Sequence, residues 1–180
     1  MQNIGRSQQV KNSLRILGID PGYARTGYAV LDCQNDEFRV VDYGLISTSA
    51  GTPFPQRLLT IDESITKICQ LYEPEVMAIE ELFFYHNHTT AIGTAQARGV
   101  SIVAAVRQGL EVYEYTPKQV KLAVSGYGGA EKQQVQEMVK YLLKLKAVPQ
   151  PDDVADALAI AICHGHSGNR KEFLAVGGYQ

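Results

Sequence analysis

A mixed α/β sheet flanked by helices is the fold class this 180-residue sequence predicts. Three observations carry it. Three runs with β character, 14–20, 26–32 and 38–46, follow one another near the start. Two further short apolar runs, 76–79 and 110–116, alternate with segments of helical period, giving five strands in all. The composition, 45% apolar and 20% charged, is that of an ordinary globular chain able to bury a core. Consecutive strands followed by alternating helices and strands imply a mixed sheet with helices packed on it.

Each element has its own signal. Residues 1–13 are polar and read as a flexible extension. The first strand, "LRILGID", ends on the lone carboxylate Asp20, and Pro21 and Gly22 turn the chain at once. "QNDE", residues 34–37, is a turn signal that makes the second and third strands a hairpin. After "GTPFPQ", Leu58, Ile61, Ile65, Ile68 and Tyr72 recur at steps of three and four and mark an amphipathic helix that Pro74 stops. "VMAI" is a strand terminated by Glu80 and Glu81, and the Ala- and Gly-rich stretch 89–108 is a long helix suited to close packing. "LEVYEYT" is a strand, and "SGYGGAEK" a Gly-rich break. Val135, Met138, Val139, Leu142 and Leu143 then line one helix face, and Pro149 and Pro151 introduce a last helix, "DDVADALAIAICHG". The chain beyond about residue 166 reads as a loose tail, which leaves 14–166 as one domain.

No apolar run is long enough for a membrane span, and the start of the chain lacks the apolar segment of a secretory signal. Cys33, Cys69 and Cys163 are odd in number and widely spaced, which suits reduced thiols in the cytoplasm better than disulfides or a zinc site. The formal net charge is −2, yet residues 118–146 hold six lysines against two glutamates. That local excess is either a solvated helix face or a surface for a polyanion.

Burying an isolated carboxylate is costly, so acids at the ends of apolar strands call for a partner. Asp20 and Glu80 both stand at strand C-termini, where α/β sheets place active groups. "PDDVAD" adds Asp152, Asp153 and Asp156 at the start of the last helix. Asp152 sits where an N-cap belongs, and acids there favour the helix dipole without any further role. Asp153 and Asp156, three apart, share a helix face. If these acids converge, they repel one another, and a hard divalent cation with oxygen ligands, typically Mg²⁺, relieves the repulsion. Acids so gathered suit two-metal phosphodiester hydrolysis.

Other features are weaker. His86–His88 form only a tripeptide "HNH". His164 and His166 lie near a helix C-terminus, where partial positive charge is favoured. "GYGG" reads as a turn more readily than as a phosphate cradle. Phe83, Phe84 and Tyr85 follow Glu80 closely, and one of them could stack on a base.

With these residues in place the sequence resembles the RuvC family of bacterial Holliday-junction resolvases. The resemblance rests on "GIDPGYARTGYAV", "AIEELFF", "AQARGVSIVAAV", "YTPKQVKLAVSGYGGAEKQQV" and "PDDVADALAIAICH", which occur in the family's order over most of residues 14–166. It implies a ribonuclease H-like fold and a homodimeric, Mg²⁺-dependent endonuclease that cuts two opposed strands of four-way junction DNA. It also implies work alongside the RuvA–RuvB branch-migration complex. By the same resemblance Asp20, Glu80, Asp153 and Asp156 are the catalytic acids and hold two Mg²⁺ ions, with Mn²⁺ able to substitute. Phe83 falls where the family places an aromatic near the junction, and Lys121 and Lys132 match basic residues used on DNA. The chain departs from the pattern at His86, often lysine in relatives, at Gly129, often polar or basic, and in its N-terminal extension. The rival readings are a YqgF-like RNA-processing nuclease, separated by its substrate, and a non-cleaving junction binder, against which the intact acids argue. An actin-like ATPase would need two lobes, for which the chain is too short.

Overall fold

The computed structural model describes residues 13–82 and 88–167. Five strands form one sheet: β1 (Leu14–Asp20), β2 (Arg25–Gln34), β3 (Glu37–Ser47), β4 (Val76–Glu80) and β5 (Glu111–Tyr115). Their order is β3-β2-β1-β4-β5. The first three run antiparallel, whereas β4 lies parallel to both β1 and β5. The β2–β3 hairpin closes through Asn35 and Asp36, with φ of 50° and 62°, the left-handed pair that a two-residue hairpin turn requires.

Period-2 alternation divides the sheet into two cores. Leu17, Ile19, Val30, Met77 and Ile79 face α1 (Phe54–Tyr72) and α2 (His88–Arg107). In α1 the residues Ile61, Ile65 and Ile68 are buried as the spacing predicts, each worth about 1.5–3 kcal/mol of transfer free energy. Ile16, Ala29, Leu31, Ala78 and Tyr115 face the opposite side, under α3 (Pro117–Ser125), α4 (Lys132–Leu142) and α5 (Asp152–His166). The apolar run of α5 lies flat on the sheet because the sheet is shaved beneath it. A Cβ on Gly18 would stand 2.3 Å from the Ala157 carbonyl oxygen and 2.8 Å from Ala161 Cβ.

Helix α3 is an element that hydrophobic period alone does not reveal. It is nine residues long and buries only Val120 and Val124. Its signal is at the end: Thr116 and Gln119 form a reciprocal capping box and Pro117 occupies the first turn. "GYGG" is the turn that ends it, with Gly126 at φ 75° donating its N–H to Leu122 O. At the start of α5, Pro151 takes the N-cap place and Asp152 is the first helical residue, so Asp152 does not cap. His164 is not a surface charge at the helix end. It is fully buried, with Nδ1 2.7 Å from the Tyr115 hydroxyl. His166 does stay near the helix end, with Nδ1 3.1 Å from Ala123 O and its ring edge-on to Phe38.

Candidate active site

Sheet register delivers the first two acids. Ile16, Gly18 and Asp20 alternate onto the α5 face of β1, as Val76, Ala78 and Glu80 do on β4. Ile19 pairs with Ile79 in the parallel β1–β4 ladder, so the two carboxylates leave adjacent strand ends on one side of the sheet. The turn after Asp20 is pinned by Thr26 Oγ1, which donates to Gly22 O at 2.6 Å, and by Thr48 Oγ1 and Arg57, which both donate to Tyr23 O. Arg98 Nε donates to Glu80 O at 3.1 Å, fastening the end of β4 to α2. Helix α5 brings Asp153 and Asp156 from above.

The electrostatics show that the acids meet. Burial, then repulsion from Glu80, Asp156 and Asp153, drives the Asp20 carboxyl well above the usual range, against a smaller opposing pull from Lys132. Glu80 is pushed up to about 7 by burial and by Asp156. Burial raises Asp156 too, although Lys132 Nζ lies 3.0 Å from its Oδ2. Lys132 also reaches Asp152 Oδ2 at 3.1 Å, and Gln136 Nε2 donates to Asp152 Oδ1 at 3.0 Å. Burial works against the Lys132 charge, but these two carboxylates outweigh it and hold its pKa up. Asp153 Oδ2 is sealed from solvent and accepts no hydrogen bond; Arg25 Nε stands 3.2 Å away as an ion-pair partner.

Among the described residues no group of three or more His, Cys, Asp or Glu side chains is placed to hold a metal ion as the side chains stand. Two of the four acids are turned toward cations of the chain itself, Asp156 to Lys132 and Asp153 to Arg25. The donor set nevertheless fits a hard divalent ion: carboxylate oxygens only, mutually repelling, crowded at one end of the sheet. A cleft of about 220 Å³ opens beside them, lined by Glu80, Lys121, Lys132 and Asp156 over an apolar floor of Val120, Val135 and Ile160.

The chain matches the family model "Crossover junction endodeoxyribonuclease RuvC" over residues 16–164. This chain belongs to the RuvC family. RuvC of Caldanaerobacter subterraneus subsp. tengcongensis is 56% identical over 164 residues, 91% of this chain and 99% of the relative. The Thermus thermophilus RuvC structure superposes with a TM-score of 0.81 at 35% identity, covering 87% of this chain and 96% of that one. The T. thermophilus RuvC in complex with Holliday junction substrate gives 0.80 at 33% identity over the same shares. The sheet and its flanking helices are thus the ribonuclease H-like arrangement expected of a RuvC-family chain.

Of the residues singled out in the sequence, Asp20, Glu80, Asp153, Asp156, Lys121 and Lys132 gather at this end of the sheet. Asp152 lies at its rim. Phe83 falls outside the described residues, as do 1–12, 168–180 and His86. The pairing of two cations with the acids was not legible in the sequence. Arg25 lies five residues past Asp20 in the same motif, and its relation to Asp153 emerges only when β2 is laid under α5. Lys132 reads as a DNA contact, but its ammonium lies among the acids.

Proposed function

We propose that this chain is a divalent-metal-dependent endonuclease that resolves four-way DNA junctions by cutting two opposed strands. The observation that carries the reading is the meeting of four carboxylates at the ends of β1, β4 and α5 in a RuvC-family chain. The substrate is supported by the junction-bound T. thermophilus relative.

Asp20, Glu80, Asp153 and Asp156 are the residues that would hold the metal. Two ions, Mg²⁺ in this reading with Mn²⁺ as a substitute, would supply Lewis-acid stabilisation of the scissile phosphate and an acidified water. Glu80, raised to about 7, must give up its proton to become a ligand, so the site gains cation affinity as pH rises. Lys132 shares its ammonium between Asp152 and Asp156 and lies on the cleft wall, where it can also meet an incoming phosphate. Lys121, on the same wall, pairs with no carboxylate among the described residues and serves the DNA backbone. Phe83, by the family resemblance, would stack on a base near the junction.

The reading includes a homodimer, whose twofold axis would present two identical sites to two opposed strands. Its support in this chain is an exposed apolar face, Ile92, Val103 and Val106 on α2 with Leu59 on α1. A cytoplasmic location, the RuvA–RuvB partnership and a 14–166 nuclease domain with extensions at 1–13 and 167–180 complete the proposal. No helix among the described residues is long and apolar enough to cross a membrane. Cleavage of a labelled four-way junction against linear duplex and structured RNA tests the substrate. Junction-selective paired nicking supports the reading, and equal cutting of RNA contradicts it.

A further inference from the structure

We infer that Arg25 is a positioning residue for Asp153, holding one carboxylate oxygen so that the other is presented to the metal. The inference rests on the reading of Asp153 as a ligand. The placement comes from the sheet. Arg25 and Gly27 are two apart at the start of β2 and share its α5 face. At Gly27 that face touches the first turn of α5 so closely that a Cβ would stand 1.9 Å from Asp153 O. The Arg25 guanidinium therefore emerges beside the same turn, and its Nε reaches Asp153 Oδ2 at 3.2 Å.

The chemistry of the two ends differs. Asp153 is four-fifths buried and its Oδ2 is sealed, with no hydrogen-bond donor, so this oxygen is held by charge alone. Arg25 is 58% exposed, so water screens its repulsion toward a cation deeper in the site while its contact with Oδ2 persists. A carboxylate fixed at one oxygen has lost the rotation that would otherwise be frozen on binding. Outer partners of metal ligands commonly account for about 10–100-fold in metal affinity.

The test measures Mn²⁺ binding to the full-length chain by calorimetry, without DNA, and junction binding in EDTA. Arg25→Gln should weaken Mn²⁺ binding by about tenfold, Arg25→Lys should recover part of the loss, and junction affinity in EDTA should change less than either. Asp153→Asn is measured in parallel, alone and combined with Arg25→Gln. If Arg25 acts through Asp153, the double variant binds Mn²⁺ no worse than Asp153→Asn alone. Unchanged or tighter Mn²⁺ binding in Arg25→Gln, additive losses in the double variant, or a loss confined to junction affinity would each overturn the inference. If Asp153→Asn itself leaves Mn²⁺ binding intact, it is the reading of Asp153 as a ligand that fails.

Discussion

Glu80 carries the clearest pH signature of any single residue in the site. Its carboxyl titrates at about 7 in the fold against 4.5 ordinarily. Between those values the native protein keeps a proton that the unfolded chain has released, so metal-free stability falls as pH rises through this window. Asp20 and Asp156, also raised, act in the same direction. Denaturant melts in EDTA from pH 4.5 upward should show the wild type losing on the order of 1–3 kcal/mol by pH 8 and Glu80→Gln losing distinctly less; parallel curves would contradict the burial argument. Asp152 and Asp153 separate differently. Asp152 is exposed and tied to Lys132 and Gln136, whereas Asp153 is four-fifths buried with its Oδ2 sealed. Single-turnover cleavage should fall by at least about 10³ in Asp153→Asn, roughly 4 kcal/mol of barrier, and by less than about tenfold in Asp152→Asn. Equal losses would place Asp152 among the ligands. Individual acids were legible because a charge at the end of an apolar run has few bland explanations. His164 was not, because a histidine near a helix end looks the same in sequence whether it meets water or Tyr115.

Among the elements, α5 governs the site, and glycine sets how close it comes. Gly27 under Asp153 and Gly18 under Ala157 admit no side chain. Gly27→Ala should lift the first turn of α5, costing about 1–3 kcal/mol of stability as overpacking does, and should depress cleavage beyond what that instability explains. Thermal melts beside cleavage rates at a permissive temperature check both parts; full activity in the variant would show that the turn is not held by this contact. Helix α3 positions Lys121 on the cleft wall. Lys121→Gln should reduce the salt dependence of junction binding by about one unit of slope, the signature of one lost phosphate contact. Titrations at several salt concentrations decide it, and an unaltered slope would remove Lys121 from the DNA surface. The longer elements could be read from periodicity over many residues. Helix α3 escaped because two buried valines give no usable period, and only its capping box marks it.

At the scale of the whole molecule, one sheet face carries α1 and α2 and the other carries the acids and α5. This separation puts the exposed Ile92, Val103 and Val106 of α2 on the side of the sheet away from the acids. The strands themselves and the strand-end acids follow from local pattern, but the two cations at the site depend on contacts across 24 residues for Lys132–Asp156 and far more for Arg25–Asp153. No local window contains such pairs. The central claim is that the acid cluster cuts a four-way junction in a matched pair. Its most direct test is to incubate a junction labelled on each strand in turn with Mg²⁺ and either wild type or Asp20→Asn, mapping every nick. The account predicts symmetric nicks in two opposed strands by the wild type, and a rate at least about 10³ lower in Asp20→Asn with junction binding retained. Cleavage by Asp20→Asn within tenfold of wild type, or nicks without symmetry about the crossover, would contradict it.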